Sequence, residues 1–205
     1  MTFTLVGRGD AQACKRADFD AVARIGGGDR TLAEAALAAI RYADPASFTT
    51  ATAVARALAA RRETVLAVRD RVGVIAISAD GPVEAMAAMT QAGREGTSSP
   101  IRFPASNAGA LAGVISIGFT LRGPTLLLTL PPERGVPVGL LLARAFLSRG
   151  VAEFVFIATC AAAGGVPASR CLLLGRPGDG DPLAELDVAW LASDPGAAAT
   201  SSARP

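Results

Sequence analysis

Cys14, Cys160 and Cys171 are the only thiols in these 205 residues, and there is no histidine to serve any of them as a base. A Ser-His-Asp triad, a Cys-His dyad, a histidine zinc site and a histidine general base are therefore excluded here. Cys160 follows the apolar run Glu153–Thr159, and the end of such a strand is where α/β folds often carry a nucleophile. One reading is thus a cysteine-dependent acyltransferase or hydrolase using Cys160. It would need a base from Asp, Glu, Arg or Lys, and Glu153 stands at the wrong end of the run. A buried structural thiol is the better expectation, because reactivity demands a lowered pKa. Cys14 stands beside Lys15 and Arg16, which favour ionisation, and reads as an exposed or half-buried free thiol. An odd number of cysteines without C-x-x-C spacing points to reduced thiols, with no disulfide framework and no metal site.

Two glycine clusters could bind phosphate. Gly7-Arg-Gly9-Asp-Ala-Gln12 follows a β-prone start but has Gln12 where a dinucleotide fingerprint has its third glycine, so it reads as a turn ending a strand over Thr2–Val6. Gly26-Gly27-Gly28 lacks the Lys-Ser/Thr of a phosphate loop and reads as a connection. No cofactor is expected.

The elements that must position these residues are apolar and weakly charged. Hydrophobic residues make up 51%, charged residues 19% and aromatics only 5%, less charge than the roughly 25% of a free-standing domain. Such a chain packs small aliphatic side chains in layers and leaves surface for a partner. The 20 basic residues, all Arg except Lys15, balance 18 acidic ones and are scattered, so no nucleic-acid partner is expected. No basic-then-apolar leader opens the chain, and cytoplasmic residence is the expectation. The uncharged stretch Phe103–Leu121 approaches membrane-span length, but its Gly, Ser, Ala and Asn content reads as a buried helix rather than a membrane contact.

Periodicity predicts a short helix over Thr31–Ala39, opened by the capping box Thr31-Leu-Ala-Glu34 and broken at Asp44-Pro45. A second helix follows over Ser47–Arg62. Val72–Ser78 is a continuous apolar run, as in a strand buried on both faces. A helix follows Ala79-Asp-Gly-Pro82 as far as Ala92, and an all-apolar helix spans Asn107–Leu121. Thr125–Leu130 is a strand, Pro131–Gly135 a tight loop, Val138–Arg149 a helix and Glu153–Thr159 a strand. Cys171–Gly175 and Leu186–Leu191 complete the strands. Strands alternating with helices imply an α/β fold with a mixed, mostly parallel sheet and helices on both faces. Residues 1–192 read as one domain and 193–205, rich in Ala, Ser and Pro, as a disordered tail.

An ordered set of segments then carries a resemblance. Ser99-Pro-Ile-Arg-Phe103, Asn107-Ala-Gly-Ala-Leu-Ala-Gly-Val-Ile-Ser116, Gly123-Pro124-Thr125, the strand and helix after them, and Phe154-Val-Phe-Ile-Ala158 together resemble the N-terminal half of the β-ketoacyl synthases. The resemblance runs from about Thr2 to Gly175 and implies a thiolase-like fold. It places the nucleophile of that family at Pro132, where this chain has no cysteine, and the family's two histidines in a C-terminal half that these residues do not include. It therefore implies no catalytic residue and a non-catalytic role. That role is a chain length factor of a type II polyketide synthase, of the short kind found in polyene systems, paired with an active β-ketoacyl-ACP synthase and meeting the acyl carrier protein indirectly. By the same resemblance, Thr125, Leu126, Leu127, Leu128, Thr129 and Leu130 form the partner interface, and Met86 and Met89 gate a product tunnel. Gly118 and Phe119 are second candidates for the gate.

Overall fold

The computed structural model describes residues 3–23, 40, 42–163 and 165–195. The helix expected at Thr31–Ala39, the triplet Gly26–Gly28 and the tail from residue 196 onward lie outside them. In chain order the elements are β1 (Thr4–Gln12), α1 (Arg16–Ala23), α2 (Pro45–Leu58), a 3-10 turn and α3 (Arg62–Ala67), then β2 (Val72–Ile77) and α4 (Val83–Arg94). They continue with a 3-10 segment Pro100–Ser106, α5 (Ala110–Gly118), β3 (Thr125–Leu128), α6 (Pro132–Ser148), β4 (Phe154–Ala163), β5 (Val166–Gly175), β6 (Asp181–Pro182) and α7 (Glu185–Ala192).

The strands form one six-stranded sheet in the order β3-β2-β4-β5-β1-β6. β2 pairs parallel with β3 and with β4, while β5 runs antiparallel to both β4 and β1. β1 to β4 thus share one direction, and β5 and β6 oppose it. Helices cover both faces, as the alternation of elements predicts. Val72, Val74 and Ala76 of β2 and Phe154, Phe156 and Ala158 of β4 point to the face holding Phe19 of α1, nearly all of α2, and Leu111 and Ile115 of α5. Ile75, Ile77, Val155 and Ile157 point the other way, onto Val136, Ala143 and Leu147 of α6 and Leu191 of α7. This period-two alternation with both faces apolar is what makes β2 and β4 read as unbroken hydrophobic runs.

α2 is enclosed: every residue except Pro45 and Arg56 is buried. Three of its hydroxyls are satisfied from within, Thr49, Thr50 and Thr52 each donating to the carbonyl four residues back, while the buried Ser47 hydroxyl has no partner among the described residues. Its N-cap Asp44 accepts from the Ala46 amide through Oδ1 at 2.7 Å and from the Ala85 amide through Oδ2 at 2.8 Å, so one carboxylate caps α2 and holds the start of α4.

Several expectations are corrected. Gly7-Arg-Gly9 is no turn; β1 runs through it to Gln12, because α2 crosses at backbone contact and only glycine leaves room. A Cβ on Gly7 would lie 1.9 Å from the Ala57 carbonyl oxygen, and one on Gly9 2.2 Å from that of Ala53. Pro131–Gly135 is no loop; Pro131 is the N-cap of α6 and Pro132 its first residue, positions where a missing N–H costs nothing. The apolar helix is shorter than expected, with a 3-10 segment before it, and it is not buried all round, since Ile117 is 43% exposed. Leu186–Leu191 is helical rather than extended. Cys160 sits within β4, which extends to Ala163 and forms a hairpin with β5.

Candidate functional site

β3 stands at one edge of the sheet. The amides of Val74 and Ser78 in the β2 segment donate to the carbonyls of Pro124 and Leu128. By the alternation of a parallel ladder, Leu126 and Leu128 turn their backbone groups to β2, whereas Thr125 and Leu127 turn theirs to the open edge. Among the described residues no strand lies beside those groups, and Thr125-Leu-Leu-Leu128 carries neither charge nor proline. Thr129 and Leu130 fall outside the ladder, because Pro131 forces the chain away from it.

The opposite edge is protected. β6 covers Thr4 and Leu5, the pairing slips between Leu5 and Gly7, and exposed Arg8, Asp10 and Gln12 line the remainder. The Arg56 guanidinium donates to the Asp10 carbonyl, occupying an edge acceptor. Bulges, charges and capped carbonyls are the devices by which proteins keep a strand edge from pairing. β1 has them and β3 has none.

At the C-terminal end of β3 the chain enters α6 through Leu130-Pro131-Pro132-Glu133. A helix N-terminus ordinarily offers free amides and a positive dipole end that stabilise a thiolate or an oxyanion. Here Pro131 and Pro132 have no N–H, the amides of Arg134 and Gly135 both turn to the Pro131 carbonyl at 3.0 and 2.9 Å, and Glu133 adds negative charge. Pro132 itself is buried. No cysteine stands at this junction.

Cys160 is 3% exposed. It faces Ser169 across the β4–β5 ladder, with Thr50 bonded to Ser169 at 2.9 Å. Burial pushes its thiol pKa up, against smaller opposing contributions from hydrogen bonds to Ser169 and Thr50. It lines a cavity of about 100 Å³ with Asp44, Asp80 and Glu84; nearby negative charge raises the thiol pKa further. Cys171 is fully buried, with its pKa raised by burial, and Cys14 is 7% exposed, more buried than its neighbours Lys15 and Arg16 suggest. Iodoacetamide at pH 8 should therefore leave Cys160 and Cys171 unmodified in the folded protein and alkylate both in urea. Rapid labelling of folded Cys160, followed by mass spectrometry, would contradict this. Because these thiols hold their protons in the fold, stability should fall as pH rises above the unfolded cysteine value of about 8.5.

Met86 and Met89 lie on α4, a helix with no fully buried residue. Met86 is 42% exposed, and Met89 helps line a hollow of about 500 Å³ between α4 and the 3-10 segment, with Ala85, Ala88 and Ile101. Gly118 and Phe119 are placed differently. Phe119 is 4% exposed and meets Phe19 edge-on at 5.7 Å, and a Cβ on Gly118 would lie 2.7 Å from the Phe19 ring. Both are packing points inside this chain, and only the methionines stay on an open face. The Asp44 double cap and the protected edge of β1 leave no local signal, since each depends on partners distant in the chain.

Among the described residues no cluster could hold a metal ion, and no helix is long and apolar enough to cross a membrane. No family model and no curated protein matches the chain. Solved structures do. A chain of the ishigamide ketosynthase/chain length factor matches with a TM-score of 0.58 at 16% identity, over 86% of this chain and 63% of that one. A chain of AntDE:AntF, a type II PKS acyl-carrier protein in complex with its ketosynthase, matches with 0.62 at 15% identity over the same shares. A chain of the ketosynthase ApeO in complex with its chain length factor ApeC, from Xenorhabdus doucetiae, matches with 0.55 at 12% identity, over 86% of this chain and 79% of that one. This chain thus spans 63% of the length of the first two. With β3 at one edge, the β3–α6 junction beside it and helices on both faces, the chain has the thiolase-like fold of ketosynthases and chain length factors.

Proposed function

We propose that this chain is a non-catalytic chain length factor subunit that pairs with an active β-ketoacyl-ACP synthase and shapes the tunnel holding its growing polyketide or polyene product. The observation that carries the reading is the contrast between the two sheet edges: β1 is guarded by a bulge, charges and Arg56, and β3 is open and apolar. Pairing runs through the backbone of Thr125 and Leu127, antiparallel to a partner strand, with Leu126, Leu128, Thr129 and Leu130 packing around it. Pro132 fills the nucleophile position, and the acyl carrier protein meets the pair through the ketosynthase. Nothing favours a Cys160 enzyme, whose thiol is buried with a raised pKa and no histidine.

The test is reconstitution with a cognate active ketosynthase. The chain alone should show no condensation of malonyl and acyl carrier protein substrates, and the pair should be active and copurify in a 1:1 ratio. Turnover by the chain alone, in a preparation free of host ketosynthase, would overturn the reading. Within the active pair, Met86→Trp should shorten the products and Met86→Ala should lengthen or broaden their distribution, as read by mass spectrometry. An unchanged spectrum from both would move the gate away from α4.

A further inference from the structure

Residues 83–106 stand apart from the core. Neither α4 nor the 3-10 segment Pro100–Ser106 has a buried residue, and α4 packs chiefly on that segment rather than on the sheet. Ile101 and Phe103 are 55% and 66% exposed. The side-chain hydrogen bonds within this stretch are local: Thr90 to the Met86 carbonyl, Gln91 to Glu95, Thr97 to the Ala92 carbonyl, Ser106 to the Phe103 carbonyl. Its ties to the body of the chain, among the described residues, run to Tyr42 and Asp44, just ahead of α2. Asp44 Oδ2 accepts from the Ala85 amide at 2.8 Å, and the Arg102 guanidinium lies over the Tyr42 ring, 5.5 Å from its centre. Asp44 is buried, and its other oxygen caps α2. Ahead of the stretch, Gly81 has a φ of +65°, which suits glycine, and its amide donates to Ser78 Oγ at 3.1 Å. Beyond it, burial resumes at Ala110, the first residue of α5.

We propose that residues 83–106 form a hinged flap that swings about Gly81 and is latched by the Asp44 carboxylate. A segment with no buried side chain loses little apolar burial on opening, so a few polar contacts set how often it opens. The bond to Asp44 is the strongest of them, because an ionised acceptor binds an amide more tightly than a neutral one. The contact of Arg102 with Tyr42, between exposed side chains, adds less. Opening takes Tyr42 from the hollow that it walls with Ala85, Met89 and Ile101. It also lifts Val83 and Glu84 from the cavity that Cys160 lines, so the flap is a lid on both. Met86 and Met89 ride on it, and through them the latch sets where the product gate stands. That consequence rests on the chain length factor reading, whereas the flap itself does not.

The test is hydrogen exchange of the full chain without a partner, read by mass spectrometry on peptides from α4, α2 and β2. In the parent protein α4 should exchange through local opening at least a hundredfold faster than α2 and β2. Asp44→Ser keeps one oxygen to cap α2 and leaves none for the Ala85 amide. It should quicken exchange in α4 a further tenfold while α2 and β2 keep their rates. Arg102→Ala changes an exposed side chain, leaves α2 untouched, and should quicken α4 two- to threefold, which keeps the flap testable even if the Asp44 variant unfolds. Exchange in α4 as slow as in α2 would overturn the proposal. So would an α4 rate that both variants leave unchanged, or an Asp44→Ser protein in which α2 and β2 quicken as much as α4.

Discussion

Replacing Leu127 by proline should separate the chain from the ketosynthase partner proposed for it and leave the chain itself folded. The Leu127 backbone faces the open edge of β3, and the ladder to β2 is carried by the alternate residues, with the Leu128 and Pro124 carbonyls accepting from Ser78 and Val74. A proline at position 127 deletes an N–H that only a partner strand would use and puts a ring where that strand would lie. A lost bond and the clash together cost about 3 kcal/mol, a roughly hundredfold weaker pair. Leu127 also packs in part against the core, so the variant should lose about 1–2 kcal/mol of its own stability. Leu128→Pro is the contrast: it removes an inward bond to β2 and should lower the melting temperature further than Leu127→Pro does. Titration calorimetry of the pair and thermal melts of each variant read these effects. A Leu127→Pro protein that binds its partner as tightly as the parent would show that the pairing lies elsewhere.

The largest effect on stability is expected at Gly9. β1 and α2 touch backbone to backbone, and a Cβ at Gly9 would lie 2.2 Å from the Ala53 carbonyl oxygen and 2.5 Å from the Ala57 amide nitrogen. Neither atom can yield without moving the helix. Lifting α2 would loosen the core that Phe48, Val54 and Leu58 form with β5 and α5. Gly9→Ala should cost about 4 kcal/mol, a large part of a typical 5–15 kcal/mol. That corresponds to a melting temperature lower by about 8–16 °C for a chain of this size, and Gly9→Val should fail to fold cooperatively. A melting temperature for Gly9→Ala within 2 °C of the parent would contradict the close crossing.

These two positions show where the sequence was and was not legible. The hydrophobic run of β2 announced a strand buried on both faces, and the structure has one. Gly7 and Gly9 looked like a turn because a glycine's use as clearance for a crossing helix is decided by residues more than forty positions away, and nothing local records it. Pro131-Pro132 looked like a loop for a similar reason. Proline breaks helix interiors but suits the first turn, and only the register of α6 against β2 and β4 tells the two apart. In α7 the apolar residues of Leu186–Leu191 suggested a strand, although Glu185 and Asp187 at its start are helix-opening residues. The stacking of Arg8 over Trp190 at 3.7 Å, with Arg170 on the same ring, supplies a tertiary anchor for that helix that periodicity could not reveal. For the candidate site, the uncharged Thr125–Leu128 and the prolines after it were visible. The sorting of β3 backbone groups into inward and outward sets was not, because it follows from pairing with β2. Packing against Phe19 separates Gly118 and Phe119, second candidates for the gate, from Met86 and Met89 on the open helix α4.

If the open edge of β3 is where this chain meets a ketosynthase, hydrogen exchange at residues 125–128 will report the contact. The protein alone and the protein mixed with a cognate ketosynthase would be placed in deuterated buffer and followed by mass spectrometry. The outward amides of Thr125 and Leu127 should exchange quickly in the isolated chain and become strongly protected in the mixture, while the enclosed helix α2 is unchanged. A complex that forms with no added protection in this segment, or a mixture in which no complex forms, would contradict it.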